Sequence, residues 1–376
     1  MDRRRLLQLG ALTLAAAPLG KALAQAPAAA PRFYLDAYSR NLQWARTPQD
    51  LGKAVLDLGL TSVDLNIAPY PGHVDPAKVA TELPAFVNGL KAMDLTVRSV
   101  TTNITGPDTP YAEAILAAAS AAGIGYYTWS GAPYDDNQPY APQMDALRSR
   151  FARLAALNQK YRIKGLYQPR PGAAGSLFVD LLPVMQAFDP RFMAFRYDTA
   201  ALLQAQPQNV VRHLHMGGRY IGAVALNDAA VNLEFPKWQQ GRFTDAPEML
   251  TLPNGGGDNT GNAGGDWLAY GGGGRPLPYH YRPAPVGTGM IDLTLIGRAL
   301  KEIGFDGPAE CQVEYPLGGA EAGADKINLP RQEVVGRIKR DRITVEQAFQ
   351  APWGLKVARP PFLERQQQGP AGGPGQ

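Results

Sequence analysis

The sequence predicts an α/β fold, a (β/α)8 barrel. Between Arg32 and about residue 343, short apolar runs alternate eight times with segments of helical periodicity, over roughly 310 residues. Several helical segments stop on glycine just before the next apolar run, as in Leu58-Gly59, Ala122-Gly123 and Ile303-Gly304, where a left-handed residue closes a helix. No Gly-x-Gly-x-x-Gly follows the first run. That absence argues against a doubly wound open sheet and against a nucleotide cofactor.

In chain order, residues 1–24 precede the barrel. Arg3-Arg4-Arg5-Leu6-Leu7-Gln8, an apolar stretch from Leu9 to Leu19 and Lys21-Ala22-Leu23-Ala24 resemble a twin-arginine export signal cleaved before Gln25. The apolar stretch is about half of the roughly 20 residues a spanning helix needs, so no stable membrane anchor is expected. The expected partner is the twin-arginine export machinery, and the expected location the periplasm or another exported site. Residues 25–31 read as a linker and 32–350 as the barrel. Its strands are expected at Phe33–Tyr38, Ser62–Ile67, Val97–Asn103, Gly125–Trp129, Gly165–Gln168, Met193–Asp198, Tyr220–Leu226 and Ala309–Tyr315. Helices are expected at Pro48–Leu58, Pro76–Met93, Pro110–Ala122, Ala141–Lys160, Leu177–Phe188 and Leu293–Ile303.

Two segments break the rhythm. Residues 243–285, between strands seven and eight, are glycine-rich and aperiodic, with Asn254-Gly255-Gly256-Gly257 and Gly271-Gly272-Gly273-Gly274. A connection leaving the carboxyl end of a barrel strand lies over the face where barrel active sites form, so this insertion reads either as a lid or as a plain surface loop. It shows no nine-residue calcium-binding period. Residues 351–376 form an extension whose end, 366–376, is glycine, proline and glutamine with one alanine, a composition expected to be disordered.

Composition narrows the function classes. Hydrophobic residues make up 45% of the 376, enough for a large core. The first 24 residues hold four basic side chains against one acidic, so the net charge of +4 falls to about +1 without them. No basic run interleaved with aromatics remains, and no nucleic-acid partner is expected. Cys311 is the only cysteine and lies in an apolar run, where a buried small hydrophobe is expected.

Several motifs then point one way. Val63-Asp64-Leu65-Asn66 with Tyr70-Pro71-Gly72-His73-Val74, Tyr197-Asp198, Gly287-Thr288-Gly289-Met290-Ile291-Asp292, and Val313-Glu314-Tyr315-Pro316-Leu317-Gly318-Gly319 resemble the sugar phosphate isomerase/epimerase family, the xylose isomerase-like TIM barrels. The resemblance spans nearly all of Arg32 to Phe349 and is strongest to exported members. It implies a divalent metal at the carboxyl end of the barrel, held by side chains from strands five to eight, with a carboxylate moving a proton beside a carbonyl. Asp198 matches the sixth-strand aspartate and Glu314 the eighth-strand glutamate, giving both a catalytic and a metal-binding expectation. Gln168 stands at the fifth-strand ligand position. The seventh-strand position reads Val224-Ala225-Leu226-Asn227-Asp228, with alanine in place of a ligand and asparagine in place of a lysine, and Thr199-Ala200 replace a Gly-His pair.

Two carboxylates and an amide suit Mg²⁺ or Mn²⁺ rather than a histidine-rich zinc site. An ion pair of Arg170 with those carboxylates, in place of a metal, is the competing reading. Tyr38, Asn66, Asn103, Trp129, Tyr167 and Arg170 are expected to ring the barrel mouth, pairing aromatic surface with amide and guanidinium donors for a carbohydrate or polyol. His73, in the turn after strand two, reads either as a substrate contact or as a turn brace, while His213 and His215 read as surface residues. Tyr134-Asp135-Asp136 are expected to be solvated or to add polar contacts. The expected activity is aldose-ketose isomerisation or epimerisation through an enediol. The alternatives are a lyase or hydratase acting on an oxidised sugar, and a metal-free carbohydrate-binding barrel without catalysis.

Overall fold

Eight parallel strands close into a ring in which each pairs with its neighbours and the eighth returns to the first. A computed structural model describes residues 33–135, 137–170, 173–174, 178–200, 210–233, 238–239, 242–243, 267–271 and 275–354. The expected export signal and linker, and the end of the chain after Gly354, lie outside the described residues. The barrel strands are Tyr34–Tyr38, Ser62–Ile67, Thr96–Thr102, Tyr126–Ser130, Lys164–Gln168, Met193–Asp198, Ile221–Leu226 and Pro308–Cys311. This is the expected (β/α)8 barrel. The eighth strand is shorter than its apolar run, ending at Cys311 instead of continuing to Tyr315.

Helices fill the outer layer at Pro48–Asp57, Val79–Lys91, Ala112–Ala121, Tyr140–Tyr161, Phe178–Met185, Val210–Gly217, Leu293–Glu302 and Arg331–Trp353. Gly59, Gly123 and Gly304 take positive φ of 75°, 78° and 68°, so the sequence stops are left-handed caps. At the other ends, Thr47 and Asp292 accept from backbone N–H groups of Asp50 and Leu295. The apolar core lies between strands and helices: Val63, Leu65, Phe195 and Val224 face Leu83, Phe178 and Leu300, all essentially excluded from solvent.

The lumen is built differently. Alternation along a strand sends successive side chains to opposite faces, so each strand contributes every second residue to the interior. At the amino-terminal end these are apolar, with Leu166, Ala194 and Ala223 packed together against Tyr126. One layer up the lumen becomes ionic. Arg196 of the sixth strand donates to Asp64 of the second at 2.6 Å, to Glu310 of the eighth, and to Thr101 of the third at 3.4 Å. Residues from four separate strands can meet in this way only inside the ring. Arg196 is 1% exposed and its single charge is compensated within this carboxylate pair, in which burial pushes the Glu310 carboxyl upward.

The insertion is wider and more ordered in pattern than its composition suggests. Directly after the seventh strand, Asp228–Leu233 pairs antiparallel with Arg275–Ala284, which pairs in turn with Trp267–Gly271. A short ladder joins Trp238–Gln239 to Arg242–Phe243. The expectation of an aperiodic stretch confined to 243–285 is therefore corrected: the insertion begins at Asp228, and part of it is sheet. The runs Asn254–Asn259 and Gly272–Gly274 lie outside the described residues.

A clamp closes the insertion's neck. Asp228, 2% exposed, accepts backbone N–H bonds from Gly287 and Gly289 on Oδ2, both at 2.9 Å, and from Ala229 at 2.8 Å and Ile291 at 3.1 Å on Oδ1. Met290 N–H adds a bond to the Ala229 carbonyl at 2.8 Å. A Cβ on residue 289 would lie 2.2 Å from Asp228 Oδ1 and 2.5 Å from the Ala229 oxygen. Only glycine lets this loop approach so closely.

Candidate active site at the carboxyl end of the barrel

The site grows out of the ionic layer. Above Glu310 on the same face comes Gln312, whose amide nitrogen donates to Glu310 Oε1. Gln312 Oε1 in turn accepts from Gln168 Nε2 at 3.1 Å, and the same nitrogen donates to Asp198 Oδ2 at 2.9 Å. Asp198 Oδ1 accepts from the Asn227 amide nitrogen and the Ala200 backbone N–H, each at 3.1 Å. A continuous buried chain thus runs from Asp64 through Arg196, Glu310, Gln312 and Gln168 to Asp198. Three N–H donors hold Asp198, which is 2% exposed. The carbonyl oxygens of Gln168 and Asn227 are buried and without hydrogen-bond partners.

Glu314 lies beside this chain, past the end of the eighth strand. Asn41 positions it. In the turn Ser39–Leu42, the Asn41 amide donates to the carbonyls of Val313 and Ala320 at 3.0 and 3.1 Å and accepts from Val313 N–H at 3.0 Å. Burial and the neighbouring Asp198 charge push the Glu314 carboxyl up to about 7, while Arg170 and Arg40 pull in the opposite direction. Asp198 and Glu314 are therefore within electrostatic reach of each other at the barrel mouth, with Arg170 beside them. A carboxyl titrating near neutrality suits proton transfer in either direction.

The other expected residues divide by strand parity. Trp129 and Tyr167 occupy opposite positions on adjacent parallel strands and so share a face. That face is the outer one: Trp129 packs on Phe151 and Tyr167 with centroids 4.9 and 4.6 Å apart, and Tyr167 donates its hydroxyl to the Ala174 carbonyl at 2.6 Å. Both are fully buried. Their assignment to the substrate platform is corrected, because Gln168, the next residue, takes the lumen position. Tyr38 sits opposite Asp64 and is buried, its hydroxyl pushed up to about 12 chiefly by burial. Asn66 is buried and accepts from the Gln43 amide at 2.8 Å. Asn103 and Arg170 are exposed, just beyond the third and fifth strands.

His73, His213 and His215 lie away from the lumen. His73 is buried edge-on against Phe86, and its Nε2 lies 3.2 Å from the Ala45 carbonyl oxygen. Burial lowers its imidazole to about 3, so it stays neutral and braces the turn; the substrate-contact reading is set aside. His213, expected at the surface, is instead buried against Phe178, and burial lowers its imidazole too. His215 is at the surface, 3.0 Å from Glu302. The side chain of His280 and residue Asp136 lie outside the described residues. Cys311 is buried, as expected.

The donor set does not fit the divalent ion that the resemblance implies. Among the described residues no three His, Cys, Asp or Glu side chains converge as a metal-binding group. Ala225, opposite Asp198 on the adjacent strand, presents only a methyl. Gln168 and Asn227 turn nitrogen, not oxygen, toward Asp198. The expected ligand trio of Asp198, Glu314 and Gln168 is thus not assembled as such. Arg196 and Asn41 were absent from the sequence expectations, although Arg196 lies two residues before Asp198 and parity alone places it in the lumen.

Comparison with known proteins follows the geometry. The model of the xylose isomerase-like TIM barrel family matches residues 52–329. No curated protein matches the chain by sequence. Among solved structures, the IOLI protein with a bound zinc atom superposes with a TM-score of 0.57 at 12% identity, covering 86% of this chain and 100% of that one. An L-ribulose 3-epimerase gives 0.53 at 12%, covering 88% and 100%. The probable 3-DHS dehydratase AsbF of Bacillus anthracis gives 0.50 at 10%, covering 78% and 97%. At these identities the likeness is one of fold.

Proposed function

The chain belongs to the xylose isomerase-like TIM barrel family, and we propose that it is an isomerase or epimerase acting on a carbohydrate or polyol. The observation that carries this reading is the pairing of Asp198 with Glu314 at the barrel mouth, where Glu314 holds its proton near neutrality. As the carboxylate, Glu314 takes the proton from a carbon next to a substrate carbonyl, leaving an enediolate. The bonding pair of that C–H moves into the new C=C bond, and the carbonyl pair moves onto oxygen. Arg170 beside Glu314 offsets the developing negative charge, and Asp198, held by three N–H groups, accepts a hydrogen bond from a substrate hydroxyl. Returning the proton to the neighbouring carbon, while the hydroxyl proton passes from the second oxygen to the former carbonyl oxygen, isomerises the sugar; inversion at the original carbon instead takes a proton from solvent on the opposite face.

Incubating the protein with aldoses, ketoses and keto-sugars in D₂O tests this directly. Deuterium should enter at the carbon beside the carbonyl, and Glu314→Gln should abolish the exchange. Exchange unaffected by that substitution refutes the assignment of Glu314. A non-catalytic sugar-binding barrel would show binding with no exchange at all. The runner-up activity, a lyase or dehydratase acting on an oxidised sugar, is supported by Arg170, whose guanidinium suits a substrate carboxylate. It shares the first step, and loss of water by NMR distinguishes it.

We also propose that residues 1–24 direct twin-arginine export. Replacing Arg3, Arg4 and Arg5 by lysine should then retain the precursor in the cytoplasm. Among the described residues no helix is long and apolar enough to cross a membrane.

A further inference from the structure

We propose that Gln168, Gln312 and Asn227 hold Asp198 in an amide-bound state that excludes a divalent cation, so that the mouth engages a polyol through its hydroxyls and works without a metal. The ligand part rests on the reading of the mouth as a substrate site; the metal part does not. A cation at Asp198 would have to meet oxygen, yet Gln168 and Asn227 present their amide nitrogens to the carboxylate, at 2.9 and 3.1 Å. Turning Gln168 around would set its oxygen against both Asp198 and the Gln312 oxygen it now serves at 3.1 Å. Gln312 is fixed in its turn, because its nitrogen donates to Glu310, which also accepts from Arg196. The direction of both glutamines is therefore set from the ionic layer below.

Two consequences follow for what binds. Asp198 is already held by three N–H donors, one of them the Ala200 backbone, so both of its oxygens are engaged by hydrogen bonds without a cation. The oxygens of the same amides, Gln168 Oε1 and Asn227 Oδ1, are buried acceptors without partners, on residues 0% and 2% exposed. An unsatisfied buried acceptor is unfavourable until a donor arrives, and a neutral polyol brings donors at neighbouring carbons.

The experiment has a metal arm and a polyol arm, both on the full chain. In the first, Mn²⁺ and Zn²⁺ are titrated into chelator-treated protein and followed by calorimetry and, for Mn²⁺, by paramagnetic resonance. Wild type should take up neither ion stoichiometrically, and EDTA should leave its melting temperature unchanged. The double variant Gln168→Glu with Ala225→His, which supplies a carboxylate and an imidazole beside Asp198, should gain one ion; Gln168→Glu alone serves if the double variant does not fold. Stoichiometric uptake by wild type that Asp198→Asn removes overturns the proposal. In the second arm, melting shifts are read with pentoses, hexoses and cyclic polyols. A shift that Gln168→Met abolishes, with EDTA present throughout, supports the hydroxyl contacts. A shift that persists in Gln168→Met refutes them, while no shift with any polyol refutes the substrate site and leaves the metal arm to stand on its own.

Discussion

In the proposed isomerase or epimerase Glu314 is the base, and its pH dependence has a definite sign. With its carboxyl raised to about 7, the base form gains population as pH rises, so kcat/KM should climb through about pH 7. Removing Arg170 as Arg170→Met takes away an attraction for the anion and should shift that rise to higher pH, a displacement readable in the same profile. A second prediction concerns Arg196. Arg196→Met leaves Asp64 and Glu310 buried without their cation and should destabilise the fold by about 3–5 kcal/mol, measured by denaturant unfolding. The triad was legible in the sequence through parity: Asp64 precedes Asn66 by two, and Arg196 precedes Asp198 by two. The same rule shows why Trp129 and Tyr167 were misplaced, since Tyr167 and Gln168 are consecutive and cannot both face the lumen. Asn41 carried no local signal, because its partners Val313 and Ala320 are 272 and 279 residues away.

Among the elements, the neck of the insertion is the one most open to test. Asp228→Ala would strand four backbone N–H groups and should lower stability by roughly 3 kcal/mol. Gly289→Ala should act likewise, since its Cβ has no room against Asp228. Trimming the insertion between residues 234 and 274, by contrast, should leave the melting temperature nearly unchanged, because the clamp and the barrel ladders survive. If the insertion is a lid, the trimmed protein loses sugar binding or turnover while melting normally. Helices and strands of the barrel were readable because their glycine stops and apolar runs are local. The insertion's sheet was not: Arg275–Ala284 contains Pro276, Pro278 and Pro283, which speak against a central strand, yet it pairs on both sides. Its ladder depends on Asp228–Leu233, a partner distant in sequence.

For the molecule as a whole, buried carboxyls set the response to pH. Burial raises Asp36 to about 6, Asp341 and Glu314 to about 7, and Glu310 upward as well. Each holds a proton in the folded state that the unfolded chain releases near pH 4, so their stabilising contribution is complete below that pH and is lost as pH rises, for Asp36, Glu314 and Asp341 through about 6 to 7. His73 and His213 act in the opposite sense, because burial keeps them neutral where the unfolded chain would protonate them, below about 6.5. Four carboxyls outweigh two imidazoles. The melting temperature should therefore fall between about pH 5 and pH 8, and a rise over that interval in a scanning calorimeter would falsify the account.

The clamp at Asp228 also makes the barrel divisible. Because residues 228–229 are bonded to 287–291, the two ends of the insertion stay together without the covalent chain that joins them. A protein severed between Gly256 and Gly257 would leave one fragment with seven strands and another carrying Pro308–Cys311 with the helices Leu293–Glu302 and Arg331–Trp353. The eighth strand pairs with both the first and the seventh, so the smaller fragment finds a complete groove to enter. Co-expressed halves should reassemble into a working barrel, and Asp228→Ala should abolish that complementation. Joined to two interacting partners, the halves would report their association as recovery of the proposed isomerase or epimerase activity.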